Sequence, residues 1–466
     1  MQMKKAKNIK ELKESGYTSK PIQLEMRQNL IEKLKKKEKI FPGIIGYDNT
    51  VIPQIENAIL SGHHIILLGE RGQAKTRIIR SLVNLLDPYI PAIAGCEIND
   101  NPLNPVCKYC KEKIKAEGEK TEIEWIPREK RYAEKLATPD VSIADIIGEI
   151  DPIKVAEGRY LSDELTIHFG LIPRTNRGIF AINELPDLQE KVQVGLFNIM
   201  EEGDVQIKGY KVSLPLDIFV VASANPEDYT NRGRIITPLK DRFESQIRTH
   251  YPVSIEDEIA IMEQEKANFP DRPVDNTPDF IKEIIAEITM GARENPDVNQ
   301  RSGVSVRMTI ANYENLLSNA EKRAIINGES ETVPRLSDFH SLFSSTNGKI
   351  EFEYTGEDKK EEELVNKIIS KAVKKVFERH FTPDKLQPVV ESFKNGWVAE
   401  VSDMMPSKEY LDCLEKIDGL KDNVMKLVNG SKSTAQIASA IEFIFEGLHL
   451  FNKLNKNEVN NRIVYR

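Results

Sequence analysis

The 466-residue sequence predicts an α/β fold, a parallel sheet with covered faces, followed by regions that are helical almost throughout. Three observations carry this reading. Short apolar runs at 63–69 (HHIILLG), 178–184 (GIFAINE) and 217–225 (DIFVVASAN) suit buried parallel strands. Segments with helical spacing, 76–86 and 188–203, alternate with them. From about 254 onward the apolar residues recur at helical spacing in one long segment after another.

Taken in order, residues 1–40 are Lys-rich and read as a basic helical segment with a solvated face. The α/β block spans 41–252, with an insertion at about 97–175. Within it, IPAIAG (90–95) reads as the second strand and SQIRTHYP (245–252) as the fifth. The alternating stretch 204–216 reads as a hairpin turning at Lys208-Gly209. A helical lid is expected over 253–345 and a further helical region over 346–466, joined by the polar stretch 345–363.

The net charge of −8 supplies no global basic field for nucleic acid. No apolar run approaches the roughly 20 residues that cross a bilayer, and the first residues lack an apolar signal core. These observations are read as a cytoplasmic protein that binds neither nucleic acid nor membrane. Four cysteines in a chain of this length are not a secreted disulfide framework.

The segment GERGQAKT, Gly69 to Thr76, follows a strand and opens a helix. It has the form of a phosphate-binding loop: backbone N–H groups wrap phosphates, Lys75 reaches toward the terminal ones, and the Thr76 hydroxyl serves Mg²⁺. Ala74 stands where glycine is usual. A second feature is the end of the 178–184 run, where a nucleotide hydrolase holds a carboxylate pair that serves Mg²⁺ and polarises water. Here the pair is Asn183-Glu184. An amide oxygen still accepts a hydrogen bond from a metal-bound water but brings no charge. Losses of that kind cost about 10- to 100-fold in metal affinity or activity.

With these motifs in order, residues 41–345 resemble the AAA+ ATPases of the MoxR and magnesium-chelatase I-subunit branch. The resemblance rests on "FPGIIGYDNTVIPQIENAILSGHHIILLGERGQAKT", on "IADIIGEIDPIKVAEGRYLSDELTIHFGLIPRTNRGIFAINELPDL" and on "VVASANPEDYTNRGRIITPLKDRFESQI". It implies that Ile44, Ile45 and Gly46 line the adenine, and that Gly69, Glu70, Arg71, Gly72, Gln73, Ala74, Lys75 and Thr76 form the P-loop. It implies that Glu184 activates water, Asn225 is sensor 1, Arg242 is an arginine finger for a neighbouring subunit, and Arg307 is sensor 2. Thr76 and Asn183 would serve Mg²⁺. Each role has a plainer alternative. Ile44 to Gly46 also fit a packed strand-turn, Asn225 a cap before Pro226, and Arg242 a partner for Asp241 or a helix C-terminus. Arg232 and Arg234 compete for the finger, and Arg301 competes with Arg307.

The resemblance further implies Mg-ATP hydrolysis, assembly as a homo-oligomeric ring, a hexamer, and a separate partner carrying a von Willebrand A domain. Its action would be remodelling of a protein or help in metal or cofactor insertion. Magnesium-chelatase activity is a narrower form, and no porphyrin site is legible. The alternatives are a nucleotide-gated scaffold and a DNA-bound regulator. Against the regulator, residues 433–457 carry no basic recognition face.

Cys96, Cys107 and Cys110 cluster in the insertion, the latter two with zinc-knuckle spacing. A zinc site is one reading and free thiols in a loop the other. For zinc the fourth ligand stays open between His168, Asp100 and water. Cys413 reads as a core residue.

Overall fold

Five short strands make a parallel sheet, four of them at the runs that the sequence marks: β1 (Ile65–Leu68), β2 (Tyr132–Leu136), β3 (Gly178–Asn183), β4 (Ile218–Ala224) and β5 (Ser245–Arg248), β2 being the exception. In this computed structural model they lie in the order β5-β1-β4-β3-β2, every neighbouring pair parallel. The structure describes residues 6–156, 163–202, 205–207, 210–212, 214–225, 233–299, 303–352, 358–459 and 462–466. Two compact units result, Met1–His250 and Tyr251–Arg466.

In the first unit, β3 and β4 are buried on both faces, which is why they read as unbroken apolar runs. Successive side chains go to opposite faces. Ile65, Leu67, Ile179, Ala181, Phe219 and Val221 share one core with Ile22, Met26 and Leu30 of α1 (Ile22–Lys36) and with Val51, Ile55 and Ile59 of α2 (Val51–Ser61). Ile78 and Ile79 of α3 (Lys75–Ser81) join that core. Phe180, Ile182, Val220 and Ala222 share the opposite core with Val192, Leu196 and Ile199 of α4 (Glu190–Glu202).

The N-terminal basic stretch is stitched to this sheet. Ile22 N donates to Asp217 Oδ2 (3.0 Å), just before β4. Glu25 of α1 accepts a two-pronged bond from Arg131, 2.7 Å on each arm, and also the Asp87 N–H at 2.6 Å. Arg131 is fully buried and donates from Nε to Arg177 O at 2.8 Å. The pair thus joins α1 to the residue that precedes β2 and to the one that precedes β3.

The expected second strand requires a correction. Residues 90–93 do form a strand, Tyr89–Ile93, but it pairs antiparallel with Ile123–Pro127, outside the main sheet. The second parallel strand is β2, inside the expected insertion. It lies at the sheet edge with four half-buried side chains and Leu136 exposed, so its residues YAEKL carry charges and lack an apolar run. Pro91 was a signal against a central strand, since proline cannot donate to a ladder. The hairpin expected at 204–216 is present as Val205–Ile207 against Tyr210–Val212, while its turn residues Lys208 and Gly209 lie outside the described residues.

The second unit is built on helices, including α5 (Ile255–Glu265), α6 (Asp279–Glu294), α7 (Val306–Asn327), α8 (Asp358–His380) and α9 (Thr434–Leu450). One core runs through it, with Phe280, Tyr313, Phe377 and Phe443 among its largest members. α9 is buried on nearly all sides, which leaves it no face to lay in a DNA groove. A three-stranded antiparallel sheet, Ala399–Val401 with Arg462–Tyr465 and Lys456–Val459, was not legible in the sequence. Cys413 packs against the core as expected.

Because Arg131 is buried on Glu25, Glu25→Gln is expected to lower the stability of the first unit by about 3–5 kcal/mol in urea unfolding, the cost of stranding one partner of a buried ion pair. Replacing both residues by apolar ones of similar volume is expected to recover much of that loss.

Candidate functional site

The parallel sheet brings the carboxyl ends of β1, β3 and β4 side by side, where α/β folds place ligands. Leu68 pairs with Ala224, and Gly69 N donates to Ala224 O at 3.1 Å. The loop Gly69–Thr76 therefore starts beside Asn225.

The loop geometry explains its residue types. A Cβ on Gly69 would lie 1.9 Å from Thr249 Oγ1 and 2.2 Å from Gln73 Oε1, so only glycine fits. Gly72 has φ +79° and Ala74 φ 54°, both left-handed. Ala74 thus adopts the backbone that usually selects glycine there, at a cost of about 1–2 kcal/mol. Gln73, buried, accepts from Thr249 Oγ1 (2.7 Å) and from Glu70 N (3.1 Å), which locks the loop to the end of β5. Glu70 and Thr76 are half-buried and Arg71 is exposed.

Lys75 is 7% exposed. Its ammonium donates to Gly69 O, to Glu70 O at 2.8 Å and to Asn225 Oδ1 at 3.4 Å. Asn225 is buried, and its side-chain oxygen accepts from the loop lysine; the segment after it, 226–232, lies outside the described residues.

The segment before α2 meets the loop through a residue the sequence reading passed over. The Tyr47 hydroxyl lies 2.6 Å from His250 O and 3.1 Å from Gln73 O, and burial pushes its pKa up to about 12, so it stays a neutral donor. Ile44 packs in the core beside it, and Ile45 and Gly46 are half-buried.

Glu184 leaves β3 with φ 56°, a left-handed backbone rare for a side chain this large. Such strain costs about 1–3 kcal/mol and persists where surrounding contacts enforce it. Here Glu184 N donates to Ser223 Oγ at 3.3 Å. The same Ser223 hydroxyl donates to Asn183 Oδ1 at 3.1 Å.

The other end of the Asn183 amide settles why an amide stands there. Its Nδ2 donates to Glu134 Oε1 at 2.6 Å. Glu134 lies on the edge strand β2, in which Leu136 pairs with Asn183. Arg80, from the helix that opens with Lys75, holds both Glu134 oxygens at 2.7 and 2.9 Å, and Tyr132 OH adds a third donor at 2.9 Å. These bonds, from Arg80 first, hold the Glu134 carboxyl below the usual carboxylate range. The Asn183 amide thus bridges Glu134 on the neighbouring strand to Ser223.

Arg242 follows the short helix Thr237–Asp241 and pairs with Glu201 of α4, its guanidinium 5.8 Å from the Phe197 ring centre. Of its rivals, Arg234 is exposed and Arg232 lies outside the described residues, as does Arg301. Arg307 is exposed in the first turn of α7 in the second unit, where its N–H is capped by Ser305 Oγ at 3.2 Å.

In the insertion, Cys96, Cys107 and Cys110 converge with Asp100. His168 is exposed, near Arg174 at 3.4 Å, and is not part of that group.

Asn183→Asp is expected to destabilise the first unit by about 1–3 kcal/mol, because two carboxylates would face each other at hydrogen-bond distance and leave acceptors unpaired. Adding Glu134→Gln is expected to restore most of the loss, since its amide can donate to the new aspartate. Thermal unfolding of the two variants beside wild type reads both effects.

No family model matches the chain. It is 28% identical over 245 residues to a magnesium-chelatase subunit ChlI-2 of Arabidopsis thaliana, covering 50% of this chain and 53% of that one. It is 27% identical over 231 residues to a magnesium-chelatase subunit ChlI homolog of Methanocaldococcus jannaschii, covering 48% and 58%. It is 29% identical over 216 residues to the uncharacterised protein YeaC of Bacillus subtilis, covering 42% and 62%. The chain thus spans little more than half the length of the curated relatives it matches. Among solved structures, the complex of BchI and BchD of magnesium chelatase gives a TM-score of 0.36 at 20% identity, covering 70% of this chain and 98% of that one. NtrX from Brucella abortus in complex with ATP gives 0.40 at 12% identity, covering 83% and 72%. The chain is therefore similar in sequence, over about half its length, to magnesium-chelatase I-type subunits.

Proposed function

We propose that this protein is a ring-forming AAA+ ATPase that binds and hydrolyses Mg-ATP to remodel a partner protein or to assist metal or cofactor insertion. The observation that carries the reading is the Lys75 ammonium, buried between the loop carbonyls of Gly69 and Glu70 and the side chain of Asn225. A buried lysine at a left-handed loop that opens a helix suits a polyphosphate. The residues fit the group: a Cβ on Gly69 would clash with Thr249 and Gln73, and left-handed residues such as Gly72 and Ala74 are those that build anion-binding backbone loops.

In this reading Lys75 and the loop N–H groups bind the phosphates. The Thr76 hydroxyl and Asn183 would hold Mg²⁺, which would supply charge neutralisation at the phosphates. Glu184, held in its strained turn by Ser223, orients and deprotonates the attacking water. Asn225 positions that water or the terminal phosphate. Tyr47 fixes the Ile44–Gly46 segment for the base. Arg242 acts on a neighbouring subunit's nucleotide, and Arg307 acts as sensor 2. A hexameric ring and a separate von Willebrand A partner rest on the family resemblance, and cytoplasmic location rests on the sequence, in which no apolar run approaches the length that crosses a bilayer. The four-part division at 40, 252 and 345 belongs to this proposal.

The amide at 183 favours one second reading, a nucleotide-gated scaffold with little turnover. Two variants separate them. Lys75→Ala is expected to abolish ATP binding by calorimetry. Glu184→Gln is expected to leave binding intact and remove steady-state turnover; turnover absent already in wild type, with ATP bound, favours the scaffold.

Arg242→Ala is expected to bind ATP and lose the roughly 10³–10⁵-fold that an arginine finger supplies. Mixed with Glu184→Gln in confirmed mixed rings, it should regain part of the turnover, because some interfaces then pair an intact finger with an intact glutamate. No recovery there would remove the shared-site assignment.

A further inference from the structure

The insertion between the P-loop helix and β2 holds a second cluster of reactive groups. We propose that Cys96, Cys107, Cys110 and Asp100 bind one structural zinc ion. One ligand atom from each of the four lies within 4.8 Å of every other. Cys107 and Cys110 are buried and Asp100 is fully so. Zinc holds thiolates at about 2.3 Å in a tetrahedron, which sets the sulfurs about 3.8 Å apart. Cys96 Sγ and Cys107 Sγ are 3.9 Å apart.

Backbone N–H groups are directed at two of these sulfurs. Ile98 N donates to Cys96 Sγ and Cys110 N to Cys107 Sγ, each at 3.4 Å. Cys107 is the N-cap of the helix Lys108–Glu117 and Cys110 lies in its first turn, where the helix dipole favours thiolate. Asp100 completes the set better than the alternatives. Its Oδ1 accepts from Asn101 N (2.8 Å) and its Oδ2 from Cys107 N (2.9 Å), while Val106 N is shared between them at 3.0 and 2.9 Å. A carboxylate offers about four lone-pair sites. Because the Val106 N–H reaches both oxygens, a metal would take the place of one branch of that shared bond, and the N–H groups fix the carboxylate as outer-shell donors do in zinc sites. A buried carboxylate beside three thiols calls for a cation, whereas thiols that merely fill a core do not.

The clip has a mechanical consequence. Asn99, beside Asp100, donates from Nδ2 to Arg174 O at 2.9 Å, and its own carbonyl lies 3.4 Å from Arg177 Nη1. Arg177 also donates to Pro91 O at 2.7 Å and directly precedes β3. Fixing the 96–110 loop therefore braces the start of the strand that ends at Glu184.

The test uses the full chain, purified without chelator and analysed for metals. About one zinc per chain is expected, lost in the Cys107→Ser/Cys110→Ser double variant and kept in Cys413→Ser. Reconstituting wild type with Co²⁺ should give thiolate-to-cobalt charge transfer and the intense ligand-field bands of a tetrahedral site, a readout independent of how the variants fold. Asp100→Asn should shift those bands and weaken zinc retention against a chelator by about 10-fold or more. Little zinc, zinc unchanged in the double variant, bound iron, or Cys96–Cys107 isolated as a disulfide would each overturn the site. Unshifted cobalt bands in Asp100→Asn would overturn the aspartate as a ligand. None of these readouts depends on ATP turnover, so the zinc site and the ATPase reading fail separately.

Discussion

Everything at the candidate site depends on β1 lying between β4 and β5 in parallel register. That placement puts Leu68 against Ala224 and against Arg248, so the loop leaving β1 touches the ends of two other strands at once. Asn225 follows Ala224 and reaches Lys75; Thr249 follows Arg248 and reaches Gln73. β4 in turn carries Ser223, whose hydroxyl serves β3. An antiparallel or slipped strand would separate these residues by several ångströms, since each step along a strand is about 3.3 Å. Register and chemistry are one constraint here.

The Asn183 amide bridges Glu134 on the neighbouring strand to Ser223. A buried aspartate at this position would have to share space with Glu134. With asparagine, one negative charge serves the pair, and it is neutralised by Arg80 from the helix that Lys75 opens. The chain of contacts Arg80, Glu134, Asn183, Ser223, Glu184 N crosses three strands and ends on the strained residue. Asn183 therefore acts as a spacer that orients the end of β3. The price is that Asn183 Oδ1 already accepts from Ser223, so any metal-bound water must compete for its remaining lone pair.

How much of this was legible follows from which forces wrote the sequence. β1, β3 and β4 are buried on both faces, so hydrophobicity alone reveals them. β2 is an edge strand whose Glu134 and Tyr132 serve the site, and its function erased the apolar signal. The loop GERGQAKT is legible because the turns at Gly69 and Gly72 restrict residue type. Tyr47, Thr249 and Ser223 were not legible, because each acts through a single hydroxyl at a position fixed only by tertiary register. The cysteines were visible by spacing. Asp100 was not decided, because its approach depends on a left-handed turn at Asn99 that no local pattern announces.

Arg242 pairs with Glu201 within its own chain, which leaves the question of its reach between subunits to the energy of that pair. Both side chains are more than a third exposed, and exposed pairs are worth about 0–1 kcal/mol. A bound polyphosphate offers several charges and a fork-shaped acceptor, which a guanidinium prefers to one carboxylate in water. Arg242 Nε is also buried without a partner among the described residues, so the pair with Glu201 uses only part of its donor capacity. The guanidinium lies over the Phe197 ring, 5.8 Å from its centre. The pair with Glu201 therefore adds little to stability, and it is compatible with the proposed role of Arg242.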